Sequence, residues 1–123
     1  DPAPGGPPAY GLYARNVKGL TLHNVRFEYM NEDARPAVIF DNVQDASING
    51  LSVKGSEGTE LLRFINTKDV LLSSVRVLTT AGTFLRVEGA SSEGITVDGG
   101  DLRKSTQLLA FENGAAKAAV IMK

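Results

Sequence analysis

Apolar and polar residues alternate in short stretches along this chain, and the pattern of one stretch recurs along its length. RPAVIFDNVQDASINGLSV at 35–53 has counterparts in YGLYARNVKGLTLHNVRF at 10–27 and LLRFINTKDVLLSSVRV at 61–77. Asn16, Asn42 and Asn66 align across these stretches, at separations of 26 and 24 residues. Alternation with a period of two predicts β-strands with one buried face, and recurrence at a nearly fixed spacing predicts a solenoid.

The alignment divides the chain into five units, whose inward-facing positions form columns of similar residues. The units begin near Tyr10, Arg35, Glu60, Phe84 and Gln107, and the last is incomplete. The inward columns of the first strand are Leu12, Val38, Leu62, Leu85, Leu109 and Ala14, Phe40, Phe64, Val87, Phe111. Those of the second strand are Leu20, Ala46, Val70, Ile95, Ala119 and Leu22, Ile48, Leu72, Val97, Ile121. A shorter third strand contributes Val25, Leu51, Val75 and Phe27, Val53, Val77, Leu102.

Two corners separate the strands within each unit. The first corner is occupied in successive units by Asn16, Asn42, Asn66, Gly89 and Asn113. The second corner is occupied by Asn24, Gly50, Ser74 and Gly99. Asn and Gly tolerate positive φ better than other residues, so both corners are predicted to be tight turns with a left-handed residue. Asn side chains stacked in register can also form a hydrogen-bonded ladder along the axis.

Three short strands per unit, with parallel pairing between units, predict an all-β fold: a parallel β-helix of about five coils of about 24 residues. This domain is expected to span 10–123, after a Pro/Gly-rich linker or entry segment at 1–9. The abrupt start on DPAPGGPP leads us to expect a piece of a longer protein. An antiparallel sandwich also uses short strands with regular turns, but it does not require similar residues to stack at a fixed period.

Composition narrows the functional classes. The 123 residues are 42% hydrophobic and 22% charged, which suits one domain with an ordinary core. A net charge of −1 and scattered Lys and Arg residues argue against nucleic acid or an anionic membrane as partner. The chain has no Cys, which excludes disulfide frameworks and thiolate metal sites. It also has no apolar run long enough to span a membrane.

The strings PAYGLYARNVKGLTLHNVRF and DARPAVIFDNV resemble the C-terminal portion of bacterial glycoside hydrolase family 28. The resemblance covers roughly residues 8–80, and the rest of the chain follows by coil pattern. It implies a right-handed parallel β-helix, hydrolysis of pectin by the family, and a location in the periplasm or outside the cell. It also implies a polyuronate or another plant polysaccharide as ligand.

The catalytic motifs of the resembled family are absent from this chain. The family uses N-T-D, G-D-D, G-H-G and R-I-K strings, and none of them occurs here. The positions that match its acidic pair hold Arg35-Pro36, Thr59-Glu60 and Thr83-Phe84. The resemblance therefore implies a non-catalytic section that completes the β-helix of a polygalacturonase-like enzyme and walls its polysaccharide groove. The alternative is a stand-alone β-helical module that binds carbohydrate or protein.

The loop FEYMNEDARP at 27–36 is the longest insertion between units and a candidate carbohydrate-binding surface. Tyr29 and Arg35 could contact a uronate. Alternatively, Asp33 and Arg35 form a local ion pair that pins the loop to the following strand, and we favour this interpretation. The loop is also the only acid-dense segment, but its oxygen donors do not lead us to predict calcium.

A second set of candidates lies on the first strand of the later units. Arg63 and Arg86 are on adjacent coils, where either a polyuronate or the nearby Glu60 and Glu88 would neutralise them, and we favour the acids. Glu88 and Glu112 are also on adjacent coils, about 5 Å apart, which is the carboxylate spacing of retaining glycosidases. Because no further Asp, His or Arg surrounds this pair, we expect solvated surface acids and predict no catalytic residue.

Few other residues suggest a catalytic or metal-binding role. The single His, His23, alternates outward and has no partner for a metal site, so we predict neither metal nor cofactor. A solenoid needs caps at both ends, and the tail GAAKAAVIMK contains no obvious polar lid. We therefore expect either a further partner, such as an upstream catalytic β-helix, or end-to-end association between copies.

Overall fold

The computed structural model describes residues 7–123, which form a stack of β-coils without an α-helix. The strands are β1 (Leu12–Phe27), β2 (Val38–Val53), β3 (Leu62–Ile65), β4 (Lys68–Ser73), β5 (Arg76–Val77), β6 (Ala81–Glu88), β7 (Glu93–Asp98), β8 (Ser105–Glu112) and β9 (Val120–Met122). A 3₁₀ turn, Lys117–Ala119, precedes β9. Residues 1–6 of the predicted entry segment lie outside the described part of the chain.

Every strand pairs in parallel with a strand of a neighbouring coil. The first face contains the start of β1 and β2 with β3 and the ends of β6 and β8. The second face contains the middle of β1 and β2 with β4, β7 and β9. The third face contains the ends of β1 and β2 with β5. The predicted parallel β-helix of about five coils is confirmed, and its register follows Leu12, Val38, Leu62, Leu85 and Leu109.

The first two coils differ from the prediction in one respect. Each was expected to contain three strands separated by turns, but β1 and β2 each run without interruption for 16 residues. A single residue with positive φ bends the backbone at each corner, as at Asn16 (57°) and Asn24 (53°). Because the same bend recurs in the neighbouring coil, the pairing of β1 with β2 resumes in the same register after each corner, although the corner residues themselves are unpaired in the ladder.

Left-handed residues mark three columns of the solenoid rather than two. Positive φ occurs at every position of both predicted corners: Asn16, Asn42, Asn66, Gly89, Asn113, Asn24, Gly50, Ser74 and Gly99. A further column lies within the second face, where the register aligns Gly19, Asp45, Asp69 and Gly94. The recurrence of Gly and Asp at this position is a sequence signal for a third left-handed column, which the prediction of two corners did not include. Asp also tolerates the left-handed region, which explains its alternation with Gly.

The hydrophobic core is fullest in the middle coils. Phe40 and Phe64 are fully buried, and their rings stack with centroids 4.9 Å apart and 9° between planes. In contrast, Leu12 and Leu109, in the same inward positions of the first and last coils, are only partly buried. Each inward side chain packs against the coils before and after it, so the end coils lack one neighbour.

On the second face of the last coil, the inward residues lie one position later in the sequence than predicted. Val120 and Met122 pair with Ile95 and Val97, whereas Ala119 and Ile121 had been expected in those inward columns. Ile121 is 57% exposed. The 3₁₀ turn at Lys117–Ala119 takes up one additional residue before the strand begins, which shifts the alternation.

Candidate functional site

A charged cluster lies on the first face, built by the outward residues of β3, β6 and β8. The register places Arg63 next to Arg86, and Glu88 next to Glu112. Arg86 and Glu88 are two residues apart in β6 and therefore project from the same side of the sheet. Glu60, which precedes β3, completes the cluster through its contact with Arg86.

Glu88 is the centre of the cluster and is buried, with 4% of its surface exposed. The expectation of a solvated surface acid is therefore wrong for this residue. Arg63 donates from Nε to Oε2 of Glu88 (2.5 Å) and from Nη2 to Oε1 (3.3 Å). Asn113 donates from Nδ2 to Oε1 (3.0 Å), and Nε of Arg86 lies 3.0 Å from Oε2. Side chains from three coils thus cover one carboxylate.

Arg86 joins the three acids of the cluster. Its Nη2 lies 3.1 Å from Oε1 of Glu112, and its Nη1 lies 3.5 Å from Oε1 of Glu60. The prediction that nearby acids neutralise Arg63 and Arg86 is confirmed. Three carboxylates surround two guanidinium groups, so the cluster presents no excess of positive charge to a polyuronate.

The electrostatics of Glu88 are unsuited to general acid catalysis. The hydrogen bond from Arg63 is the main cause that lowers the pKa of Glu88, with further contributions from Arg86 and Asn113. A glycosidase acid needs a raised pKa so that it still holds a proton near neutral pH. Glu88 is held ionised instead, and its burial also keeps it from acting as a nucleophile on a polysaccharide.

The loop between β1 and β2 is fastened by its own charged pair. Arg35 donates from Nε to Oδ1 of Asp33 (2.9 Å) and from Nη2 to Oδ2 (2.6 Å). The predicted ion pair is therefore present, and the hydrogen bond from Arg35 lowers the pKa of Asp33. Nη1 of Arg35 also donates to the carbonyl oxygen of Pro7 (3.0 Å). These bonds use three of the five N–H donors of Arg35, which reduces its capacity to bind a uronate.

Tyr29 is likewise held by the protein. Its hydroxyl donates to the carbonyl oxygen of Gly55 (2.7 Å), and its ring meets that of Tyr10 edge to face with centroids 5.2 Å apart. Nζ of Lys54 lies 5.4 Å from the centroid of the Tyr29 ring. Because Tyr10 and Lys54 already contact the ring, less of its surface is free to contact a uronate.

The Asn ladder is formed between only one pair of coils. Nδ2 of Asn42 donates to Oδ1 of Asn16 (2.8 Å). In the next coil, Oδ1 of Asn66 accepts a hydrogen bond from Ser91 (3.0 Å), and Asn113 donates to Glu88. The side chains of this corner therefore bind different partners in different coils, although the backbone conformation repeats.

Beside this amide pair lies a shallow polar depression of about 210 Å³ that the sequence did not reveal. Its lining residues are Asn16, Val17, Lys18, Asn42 and Gln44. Both amide side chains of the pair and the ammonium group of Lys18 are exposed. The depression combines amide donors, amide acceptors and one cation.

Within residues 7–123, no group of three or more His, Asp or Glu residues that could hold a metal ion occurs. His23 is exposed on the second face, beside Asn49. In this described part, no helix has the length and apolar character required to cross a membrane.

The coils and their parallel register place the protein in the class of parallel β-solenoids. In comparisons with known proteins, no family model, curated protein or solved structure matches the chain.

Proposed function

We propose that this chain is a non-catalytic β-solenoid section of a polygalacturonase-like, pectin-degrading protein that is exported from the cell. The proposal is supported by the parallel β-helix, by the PAYG and DARPA strings that resemble family 28, and by the absent catalytic motifs. Its role is to extend the solenoid and to supply one wall of a polysaccharide groove.

The state of Glu88 carries the non-catalytic part of the proposal. This residue and Glu112 are the only pair with the register of a retaining glycosidase that the sequence suggested. Glu88 is buried beneath two arginines, its pKa is lowered, and Arg86 lies between it and its neighbour. A group in this environment supports the fold and does not donate a proton to a leaving group.

The polar depression is the surface that best fits a carbohydrate contact. Arg63, Arg86 and Arg35 are paired with acids, so their capacity to bind a uronate is reduced. In contrast, the amides of Asn16 and Asn42 and the ammonium group of Lys18 are exposed in one concavity. Amides bond to sugar hydroxyls and a cation bonds to a uronate carboxylate, so this combination suits an acidic polysaccharide.

Calorimetric titration with oligogalacturonates tests whether the chain binds the polysaccharide. A reducing-sugar assay on polygalacturonate tests separately whether it cleaves it. We expect binding without turnover, and Lys18→Ala should weaken binding about tenfold, which corresponds to 1.4 kcal/mol. Arg76→Ala, which removes an exposed cation on the third face, is the matched control and should bind as the unmodified chain does. Turnover that disappears in Glu88→Gln would overturn the non-catalytic proposal. Equal binding by both variants would remove the depression as the contact.

A further inference from the structure

A column of basic and amide side chains crosses three neighbouring coils at the start of the second face. The register of β1, β2 and β4 aligns Lys18, Gln44 and Lys68, which we call the lysine column. Lys18 and Gln44 border the polar depression, and Lys68 is the next member of the column. Since neighbouring strands lie about 4.8 Å apart, the Cα atoms of the two lysines are about 10 Å apart. The column thus places a cation on alternate coils, with a neutral amide between them.

Both lysines are available to an anionic ligand. The ion pairs found within residues 7–123 involve neither Lys18 nor Lys68. Lys18 is exposed, and Lys68 is half-buried. In contrast, Arg35, Arg63 and Arg86 each contact an acid. The lysine column is therefore better suited to bind carboxylates than the arginines are.

Acidic neighbours make the two lysines unequal and limit the column to three coils. Lys68 is paired in register with Glu93 of the next coil and is followed in sequence by Asp69, and both acids are exposed. Lys18 is followed by Gly19 instead. We therefore expect Lys68 to attract an anion less strongly than Lys18 does. A polyanion that extended onto the fourth coil along this column would meet the like charge of Glu93.

The Asn side chains of the first corner run alongside the lysine column, two residues before it in each coil. Nδ2 of Asn42 donates to Oδ1 of Asn16, which leaves Nδ2 of Asn16 as a donor and Oδ1 of Asn42 as an acceptor. Oδ1 of Asn66 accepts from Ser91, which leaves its Nδ2 as a donor. All three Asn residues are exposed. Groups that bind hydroxyls thus lie beside groups that bind carboxylates on the same three coils.

A linear acidic polysaccharide matches this spacing. One pyranose unit extends such a chain by roughly 4–5 Å, close to the distance of about 4.8 Å between neighbouring coils. Where successive units alternate in orientation, the carboxylates of the first and third units face the same side and that of the middle unit faces away. Lys18, Gln44 and Lys68 present the same order of cation, neutral amide and cation. A single uronate would contact only one of the lysines.

We propose, resting on the function proposed above, that a linear polyuronate binds parallel to the solenoid axis over the first corner. Carboxylates of alternate units bind Lys18 and Lys68, and hydroxyl groups bind the amides of Asn16 and Asn42. The arrangement requires at least three consecutive units, of which the first and third carry unesterified carboxylates.

Calorimetric titration with digalacturonate and trigalacturonate tests the required length. The dimer cannot place carboxylates on both lysines, so the unmodified chain should bind the trimer about fivefold more tightly, as one additional exposed ion pair allows. Equal affinity for the two oligomers would overturn the alternate-unit arrangement while the depression remained the contact. If neither oligomer binds, the proposed function fails together with this arrangement.

Substitution of Lys68 tests its contact with the third unit. Lys68→Gln should weaken binding of the trimer about fivefold and leave binding of the dimer unchanged, because the dimer occupies the stronger site at Lys18. Lys18→Ala should weaken binding of both oligomers. Arg76→Ala, which removes an exposed cation on the third face, is the matched control and should change neither affinity. Unchanged affinity of Lys68→Gln for the trimer would contradict the proposal.

A variant with conserved charge separates spacing from net charge. Gln44→Lys combined with Lys68→Gln moves the second cation to the coil next to Lys18. Because the middle unit turns its carboxylate away, this double variant should bind the trimer no more tightly than Lys68→Gln does. Circular dichroism verifies that each variant keeps the fold. Recovery of the affinity of the unmodified chain would show that net charge alone determines binding and would overturn the proposal.

Discussion

Arg63 reaches from one coil to the carboxylate of Glu88 on the next and contacts both of its oxygens. The two residues are 25 positions apart in sequence, about one coil. The contact places a buried negative charge against a guanidinium group that remains one-third exposed. It shows how this solenoid accommodates charge on a face that its side chains largely cover.

Arg63→Ala should lower the free energy of unfolding by about 2 kcal/mol. Removing one partner of a buried ion pair costs about 3–5 kcal/mol when the remaining charge has no other partner. The loss should be smaller here because Arg86 and Asn113 still contact Glu88. Urea unfolding followed by circular dichroism measures the change. Arg76→Ala removes an exposed strand arginine and should change stability by less than about 0.5 kcal/mol; equal losses in both variants would contradict this assignment.

Stability should fall in acid through Glu88. Its folded pKa lies below the ordinary value of 4.5, so the ionised form stabilises the fold. This contribution is fully present above pH 4.5 and is lost as the pH decreases through the lowered folded pKa. Urea unfolding between neutral pH and pH 3 should show the decline, and Glu88→Gln should flatten it. Parallel curves for the two proteins would show that other carboxylates dominate.

Asn42 should be replaceable by Gly but not by Ala. Its φ of 57° lies in the left-handed region, which costs residues with a Cβ about 1–2 kcal/mol. Asn42→Ala should therefore lower stability by about 1–2 kcal/mol, including loss of its bond to Asn16. Asn42→Gly should lose less than about 1 kcal/mol because Gly adopts this conformation freely. Gln44→Ala, two residues away and exposed, is the control, and an Ala variant of Asn42 as stable as the Gly variant would contradict the backbone argument.

Phe64→Ala should lower the free energy of unfolding more than Arg63→Ala or Asn42→Ala does. The side chain is fully buried in a middle coil and stacks on Phe40. Truncation of a core aromatic residue typically costs about 3–5 kcal/mol, through lost transfer energy and the remaining cavity. Phe111→Ala, in the same column of the partly exposed last coil, should cost less than half as much. Thermal and urea unfolding compare the two variants, and equal losses would mean that the last coil is packed as tightly as the middle.

The sequence alone was sufficient to predict the repeat, most of the inward columns and the backbone conformation at two corners. These features depend on neighbours close in sequence and on a pattern that each coil repeats, so they can be read from residue types. The local pairing of Asp33 with Arg35 follows from the same short-range reasoning. The third left-handed column at Asp45 and Asp69 had a signal in the sequence that was missed.

The tertiary structure decided the environment of the outward residues and the register of the last coil. Glu88 alternates outward, yet it is buried because Arg63, Arg86 and Asn113 approach it from three coils. Such burial depends on which rotamers long side chains adopt together, and alternation carries no information about that. The shift at Val120 similarly follows from a 3₁₀ turn whose extra residue no repeating pattern contains. Local periodicity thus determined the coils, and packing between coils determined what their surface can do.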